Sequence, residues 1–267
     1  FLTEGYCVAK IESLEPVNSG LLETFDRLIN RAEKLGISGL APIRFSEGTH
    51  LVEHGWSWGC DHIFAPELRE QTILDIASCA PIPQLIKSIL GLHIRFSAGH
   101  AHWNPTSYDY QLHWHRDTRR KHWRHGTLDS GAHVQVCVAL VDESAVSLLT
   151  GSHTQDLSEN ELDWFLSKPY GDHPRQTNPK VPGGSALFLN TYAMHRAECS
   201  RNDLRRSIHF GFTRVGARSE EGRPPRPNGW MALPEFQNTQ TEFLRNAIIE
   251  ELAFCAAASS DIRRFPT

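Results

Sequence analysis

Between residues 92 and 215 the sequence alternates short segments rich in β-branched and aromatic residues with loops that contain Gly, Pro, Asn and Asp. This texture is typical of a protein built mainly from short strands. The predicted strands are Leu92–Phe96, Tyr108–His115, His133–Val141, Ser185–Asn190 and Arg206–Val215. We therefore expect a mainly β core, either a sandwich or a barrel.

Segments with helical spacing of apolar residues flank this centre on both sides. The predicted helices are Gly20–Leu35, Glu67–Cys79, Gln84–Leu90, Asn160–Leu166 and Gln240–Ala258. No internal repeat or low-complexity linker divides the chain, and too little sequence follows Gly222–Gly229 to form a second domain. We expect one domain over residues 1–267. It would have a helical N-terminal flank at about 1–91, a β core at about 92–215, and a C-terminal loop and helix at about 216–267.

Composition narrows the classes of function. The formal net charge is −4, so the chain as a whole gives no case for a nucleic-acid-binding surface. The longest apolar run, Val136–Val141, is far shorter than the roughly 20 residues that a membrane span requires. The six cysteines form no CxxC pair and are expected to be free, mostly buried thiols. No signal peptide is visible, and we expect a cytoplasmic protein.

Histidine is the unusual residue, with 15 copies where average composition predicts roughly 6. Alternation along Tyr108–His115 places Gln111, His113 and His115 on one face, and Asp117 joins them if the strand continues. A His-x-Asp pair can supply two neighbouring ligands to one metal ion, and a second histidine would complete a 2-His-1-carboxylate site of the kind that binds Fe(II). Because about 0.7 such motifs arise by chance at this composition, the motif alone fits a surface His and Asp equally well.

A second group of candidates lies downstream. Val181–Asn190 has the pattern of a turn and a buried strand, and His195 follows it closely. The next predicted strand begins at the pair Arg205 and Arg206. An arginine there suits a carboxylate ligand, because its guanidinium binds carboxylates bidentately and stays charged when buried.

In order and spacing, His115, Asp117, His195 and Arg206 resemble the motif of the phytanoyl-CoA dioxygenase (PhyH-like) family of Fe(II)/2-oxoglutarate-dependent oxygenases. Four further segments of this chain resemble features of the family. Phe1–Tyr6 resembles its N-terminal sequence and Val138–Asp142 its central strand. Thr150–His153 resembles its Pro-Gly-Ser-His turn, and Pro182–Phe188 resembles the segment before its distal histidine. The resemblance covers roughly Phe1 to Val215.

The resemblance implies a double-stranded β-helix core, which is a cupin-like jelly roll. It implies that His115, Asp117 and His195 bind iron and that Arg206 binds the distal carboxylate of 2-oxoglutarate. Arg205 is the rival for that role, because adjacent residues of a strand face opposite sides; the spacing from His195 favours Arg206. His113 is a candidate for contact with the co-substrate, and a packing role is the alternative. We assign no catalytic residue beyond the metal ligands.

The implied reaction uses O₂ and 2-oxoglutarate, releases succinate and CO₂, and oxidises an unactivated C–H bond of a small metabolite. Relatives that halogenate have a small residue in place of the carboxylate, so the presence of Asp117 favours hydroxylation. The chain departs from the family at Thr150, where the family has Pro, and at Ser144–Leu149, which lacks the family's Asn-Gly-Pro. These departures bear on substrate shape more than on the metal site.

A basic segment follows the His-x-Asp motif. It contains Arg116, Arg119, Arg120, Lys121 and Arg124. These side chains predict a rim that attracts an anionic substrate, with Arg119, Arg120 and Trp123 as the candidate contacts; a solvated loop is the alternative. The histidines at 102, 133, 153 and 209 are expected to be structural, and His153 is the one closest to the site through its turn.

Two other classes of protein remain open at this point. One is a cupin-like metal-dependent isomerase or hydrolase that does not use 2-oxoglutarate. The other is a binding or sensing module with no catalytic activity, because a fold alone does not establish a function. In every case the expected partner is a small molecule.

Overall fold

The structure, a computed structural model, describes residues 1–14, 19–36, 42–43, 55–56, 58–104, 109–117, 132–217 and 229–262. The twelve strands in these ranges are β1 Tyr6–Lys10, β2 Pro42–Ile43, β3 Gly55–Trp56, β4 Gly59–Asp61, β5 Ile94–Trp103, β6 Tyr110–Gln111, β7 His133–Ala139, β8 Val146–Leu149, β9 Gln176–Thr177, β10 Ser185–Asn190, β11 His195–Cys199 and β12 Arg206–Arg214. The α-helices are α1 Ser19–Lys34, α2 Gln71–Asp75, α3 Ile82–Leu90, α4 Glu159–Ser167, α5 Pro234–Gln237 and α6 Glu242–Ile262. Three short 3-10 helices span Glu12–Leu14, Ile76–Ser78 and Gly229–Ala232.

Two antiparallel sheets form the centre of the molecule. The larger has six strands in the order β1-β10-β7-β12-β5-β4, and the smaller has four in the order β6-β11-β8-β9. β2 and β3 form a separate pair. The prediction of a mainly β core with flanking helices is confirmed.

Alternation along the strands of the six-stranded sheet separates its two faces. On the outer face, Val136, Phe188 and Phe210 join the buried apolar residues of α1, α2, α3 and α6 in one core cluster. On the inner face, Cys137 and Leu187 pack against Leu148 of the four-stranded sheet in a second cluster. The molecule therefore has three layers: helices, the large sheet and the small sheet.

One glycine allows the outer layer to approach the sheet closely. A Cβ placed on Gly99 in β5 would lie 2.3 Å from the ring of Phe64. Without that atom, Phe64 stacks on Phe210 with ring centroids 5.9 Å apart and also contacts Phe96 at 5.8 Å. The position therefore needs glycine for contact with a ring rather than for an unusual backbone angle.

The structure differs from the predicted elements in two ways. β1 and β4 come from the predicted helical flank, and β1 forms an edge of the large sheet beside β10. β8 and β11 were not expected from the pattern of residues, because His195–Cys199 carries no β-branched run. Pairing with neighbouring strands, rather than intrinsic propensity, holds such segments extended.

All six cysteines lie in the described ranges and are free thiols, as predicted. Among the described helices, none is long and apolar enough by itself to cross a membrane. Gln71–Ser78 and Ile82–Leu90 meet that test of length and hydropathy only when taken together across a bend of 51°.

Candidate metal centre

Three predicted ligands come together at one end of the small sheet. His115 and His195 face each other in an antiparallel bridge, and their backbones exchange two N–H···O hydrogen bonds of 2.9 Å each. Two residues later, the backbone N–H of Asp117 donates to the carbonyl oxygen of Thr191 at 3.1 Å. The backbone thus fixes the positions from which all three side chains project.

The ligand atoms of the three side chains are close enough to share one ion. Oδ1 of Asp117 lies 3.6 Å from Nε2 of His115 and 3.8 Å from Nε2 of His195. All three ligand atoms lie within 4.8 Å of one another. Two donors that each bind an ion at about 2.1 Å are at most about 4.2 Å apart, so both carboxylate-to-imidazole separations fit a shared metal.

Hydrogen bonds set both imidazoles in the form that binds metals. Nδ1 of His115 donates to the carbonyl oxygen of His113, and Nδ1 of His195 donates to that of Ala193, each at 2.8 Å. Because a carbonyl oxygen can only accept, each Nδ1 carries a proton, and Nε2 is the nitrogen of each ring that is directed to a metal. Burial and the neighbouring His195 also lower the pKa of His115, which favours the neutral imidazole that a metal requires.

Among the described residues, these three form the one group of His, Cys, Asp and Glu side chains close enough to hold a metal. Two neutral imidazoles and one carboxylate are the ligand set of non-haem Fe(II) sites that keep coordination positions open. The residues therefore fit the implied iron, and the predicted triad is brought together.

A one-residue shift in register explains how the strand supplies this site. Tyr110 pairs with Cys199 and Gln111 with Glu198, so an unbroken ladder would place His115 opposite Met194. Instead His115 pairs with His195, which leaves one extra residue on the His115 strand. Such a bulge re-aims side chains. In a regular strand Tyr110 and His115 would face opposite sides, because they are five positions apart. The bulge lets both face the interior.

A buried ion pair lies in the same interior. The Arg205 side chain is 3% exposed, and its Nη2 lies 2.7 Å from Oε1 of Glu143. Its Nη1 donates to the hydroxyl of Tyr110. Burial by itself would lower the pKa of the Arg205 guanidinium, but Glu143, together with Tyr110, Cys199 and Cys137, outweighs this effect and the pKa is raised. Arg205 is therefore a permanent cation inside the protein.

Three residues of the large sheet contact one another on its inner face. Sγ of Cys137 is 3.7 Å from Nδ1 of His209, and Nε2 of Gln135 is 2.9 Å from the same nitrogen. Burial raises the pKa of the Cys137 thiol; the charges of Glu143 and Asp117 raise it further, and that of Arg205 opposes them. The thiol of Cys137 is therefore neutral near pH 7.

Arg206 does not take the place that the resemblance assigned to it. Its Nε lies 2.8 Å from Oδ1 of Asp26 on α1, and its Nη1 donates to Asn104 at 2.9 Å. Arg206 shares its parity with Ile208 and Phe210, which face the helices, so its side chain is on the outer face. Arg205, the rival candidate, is the arginine that faces the interior. The apolar alternation of β12 is the sequence signal that distinguishes the two.

The other predicted contacts have mixed outcomes. His113 is exposed, with its ring centroid 5.4 Å from that of His115, so its contact with a co-substrate stays a prediction. Arg116 does not belong to a solvent-facing rim: it is buried, and Nη2 donates to the carbonyls of Ser152 and Gln155. Arg119, Arg120 and Trp123 lie outside the described residues.

The remaining histidines are outside the ligand set, as expected. Nε2 of His153 lies 3.0 Å from the carbonyl oxygen of Leu2 and holds the N-terminal segment. Gly5 adopts a φ of +85°, and a Cβ there would lie 2.8 Å from Nδ1 of His153. The ring centroids of His102 and His209 lie 4.3 Å apart in the interior, and the two ring planes are tilted by 38°. Sequence reasoning left His102 and His209 unassigned and missed Tyr110 and Glu143 as partners of Arg205.

No protein-family model matches the chain, and no curated protein matches it significantly. Solved structures are similar to it. The non-haem α-ketoglutarate-dependent epimerase SnoN of nogalamycin biosynthesis is 16% identical, with a TM-score of 0.53 over 87% of this chain and 86% of that one. HygX from Streptomyces hygroscopicus, crystallised with nickel and 2-oxoglutarate, is 16% identical, with a TM-score of 0.54 over 80% and 84%.

EctD from S. alaskensis, crystallised with 2-oxoglutarate and 5-hydroxyectoine, is 17% identical, with a TM-score of 0.52 over 84% of this chain and 78% of that one. At such identities the likeness concerns the fold alone. The chain thus shares its fold with non-haem, 2-oxoglutarate-dependent enzymes, and in the part of the chain that the structure describes its metal-binding cluster is a His-Asp-His triad.

Proposed function

We propose that the protein is a non-haem Fe(II)/2-oxoglutarate-dependent dioxygenase that hydroxylates an unactivated C–H bond of a small, anionic metabolite. The single observation that carries this proposal is the geometry of His115, Asp117 and His195, whose ligand atoms converge while both Nδ1 atoms donate to backbone carbonyls. The fold supports it, because EctD and HygX have the same fold and were crystallised with 2-oxoglutarate. We assign the chain a single jelly-roll domain, and its sequence motifs resemble those of the phytanoyl-CoA dioxygenase family.

The chain's own residues have three tasks in this proposal. His115, Asp117 and His195 hold Fe(II) on one side and leave its other positions open. Iron, when bound, supplies the activation of O₂ and the oxidative decarboxylation of 2-oxoglutarate. Arg205 takes the role that the resemblance gave to Arg206 and binds the distal carboxylate of 2-oxoglutarate in the buried interior, where a charge-assisted bond is strong.

One observation favours the alternative, a cupin-like metal-dependent isomerase or hydrolase without 2-oxoglutarate. Arg205 already has a carboxylate partner in Glu143, so the interior holds no unpaired arginine charge at the place proposed for the co-substrate. An enzyme that never binds a dicarboxylate would be expected to keep such a pair. The fold similarity to three 2-oxoglutarate-dependent enzymes outweighs it.

The proposal is tested by turnover of the co-substrate. The full chain is incubated with Fe(II), O₂ and 2-oxoglutarate labelled at C1, and the released CO₂ is counted together with succinate. We expect release from the wild type and at least a 1000-fold loss in H115A and D117A, since each removes a metal ligand. H93A is the matched control, because His93 is an exposed histidine away from the triad. Release that is equal in all four proteins would contradict the proposal.

A further inference from the structure

Two of the three guanidinium nitrogens of Arg205 already have polar partners. Nη2 lies 2.7 Å from Glu143, and Nη1 donates to Tyr110. Nε of Arg205 is buried and, among the described residues, has no hydrogen-bond partner. The Glu143 side chain is itself only 8% exposed, so this ion pair is shielded from water on both sides.

Glu143 is the one anion among the described groups that act on Arg205. Burial raises the pKa of Tyr110 to about 12 and that of the Cys199 thiol to about 11, and it raises the pKa of Cys137 as well. These groups are neutral near pH 7. The pKa values of His102 and His209 are lowered, mainly by burial, so these rings carry no charge either. The Arg205–Glu143 pair is electroneutral. The terminal carboxylate of a dicarboxylate that reaches the pair therefore adds a negative charge that no described neighbour compensates.

The backbone of Glu143 is fixed, whereas its side chain borders a small cavity. The backbone forms an antiparallel bridge to Val181, with hydrogen bonds of 2.9 and 2.8 Å in the two directions. The cavity has a volume of about 10 Å³ and is lined in part by Ser144, Ala145 and Pro179. A ligand that takes the place of Glu143 on Arg205 therefore displaces the carboxylate side chain and leaves the backbone in place.

We propose that Glu143 is a specificity-determining residue of the co-substrate pocket. In the structure its carboxylate occupies the place on Arg205 that, under the proposed function, the terminal carboxylate of 2-oxoglutarate needs. This inference rests on the proposed function. Its consequence is that 2-oxoglutarate binds only by displacing Glu143, whereas a 2-oxo acid without a second carboxylate leaves the pair intact. Glu143 thereby lowers the preference of the protein for 2-oxoglutarate over a 2-oxo acid that has a single carboxylate.

Two ligands of the same length test this inference. The full chain is loaded with Ni(II), the metal seen with 2-oxoglutarate in HygX, and titrated calorimetrically with 2-oxoglutarate and with 2-oxopentanoate. 2-Oxopentanoate has the same metal-binding end and a methyl group in place of the terminal carboxylate. In E143Q we expect at least tenfold tighter binding of 2-oxoglutarate and less than a twofold change for 2-oxopentanoate.

Y110F is the control, because it removes the other partner of Arg205 and keeps Glu143 in place, so 2-oxoglutarate should not bind more tightly. Circular dichroism verifies that each variant folds. If E143Q does not fold, E143D serves instead, and its shorter carboxylate should give a smaller gain in the same direction.

Three results would overturn the inference. An affinity for 2-oxoglutarate that is unchanged in the Glu143 variants contradicts it and leaves the proposed function standing. Equal tightening of both ligands also contradicts it, because the effect would then not act through the terminal carboxylate. Absence of 2-oxo acid binding to every Ni(II)-loaded protein rejects the proposed function together with the inference.

Discussion

On β7 and β12, alternate residues face two different environments. Val136, Phe210 and Phe212 point toward the helices and are at most 1% exposed. Gln135, Cys137 and His209 of the same strands point toward the small sheet, where they lie near polar groups of the interior. The outer face is a close-packed apolar layer, whereas the inner face combines an apolar cluster with buried polar side chains near the metal ligands.

Within one strand, residues on the outer face therefore contribute mainly to stability, and residues on the inner face mainly to ligand binding. Substitutions on the outer face remove packing and should lower the free energy of unfolding. Substitutions on the inner face remove charges or hydrogen bonds and should change ligand binding more than stability. Each prediction below tests one side of this division.

The largest effect is expected from F210A. Phe210 is fully buried and contacts Phe64 and Phe96, so removing its ring should lower the free energy of unfolding by about 3–5 kcal/mol. Urea unfolding measures the loss, and F210L, which retains most of the side-chain volume, should lose less. A full-length F210A with wild-type stability would show that the outer face is not the main source of stability.

The second prediction concerns the ion pair of the inner face. Replacing both Arg205 and Glu143 with Gln avoids leaving one charge buried without its partner. Compared with E143Q, the double variant loses the charge-assisted bond to the co-substrate, about 1.5–3 kcal/mol, and should bind 2-oxoglutarate about ten- to hundredfold more weakly. Calorimetry on the metal-loaded protein measures it, with Ni(II) affinity as the control. A 2-oxoglutarate affinity of the double variant equal to that of E143Q would remove Arg205 from the site.

The third prediction is a dependence of stability on pH. Burial lowers the pKa values of His102 and His209 well below their ordinary value of 6.5. Below pH 6.5 the unfolded chain therefore binds protons that the folded chain does not, and stability falls as pH falls. Each histidine contributes up to about 1.4 kcal/mol per pH unit.

This pH dependence is measured by urea unfolding between pH 7 and pH 5 in the presence of a chelator. H209Q should make the slope shallower by removing one of these groups. A slope in H209Q equal to that of the wild type would contradict the lowered pKa of His209 and its burial on the inner face.

The smallest effect is expected from R206A. Arg206 pairs with Asp26 at the surface of α1, and such pairs contribute about 0–1 kcal/mol. We expect a small loss of stability and an unchanged affinity for 2-oxoglutarate. A tenfold or greater loss of affinity would restore the role that sequence spacing assigned to Arg206.

Most of the fold could be predicted from sequence, because alternating strands are local patterns. The three candidate metal ligands were identified through the order and spacing of a family motif, because a His-x-Asp pair alone also arises by chance. The edge strand β1 and the ligand-bearing strand β11 could not be predicted. They are held by pairing with distant segments, namely β10 for the first and β6 and β8 for the second. Local propensity does not report such partners.

The choice between Arg205 and Arg206 shows the same limit within the site. Spacing from His195 favoured Arg206. The alternation of the strand, however, decides which side chain faces the interior. Ile208, Phe210 and Phe212 pack against the helices, so the even-numbered residues of β12, including Arg206, lie on the outer face. The partners of Arg205 were beyond local reasoning, because Tyr110 and Glu143 are 95 and 62 positions away in sequence. A bulge before His115 adds a further change of facing that periodicity does not reveal.

The central claim is that His115, Asp117 and His195 hold an iron ion to which 2-oxoglutarate binds. The most direct measurement is an anaerobic titration of the Fe(II)-loaded full chain with 2-oxoglutarate, followed by visible absorption. The account predicts a saturable metal-to-ligand charge-transfer band that is absent in H115A. Iron bound with no band on addition of 2-oxoglutarate, or a band that persists in H115A, would contradict it.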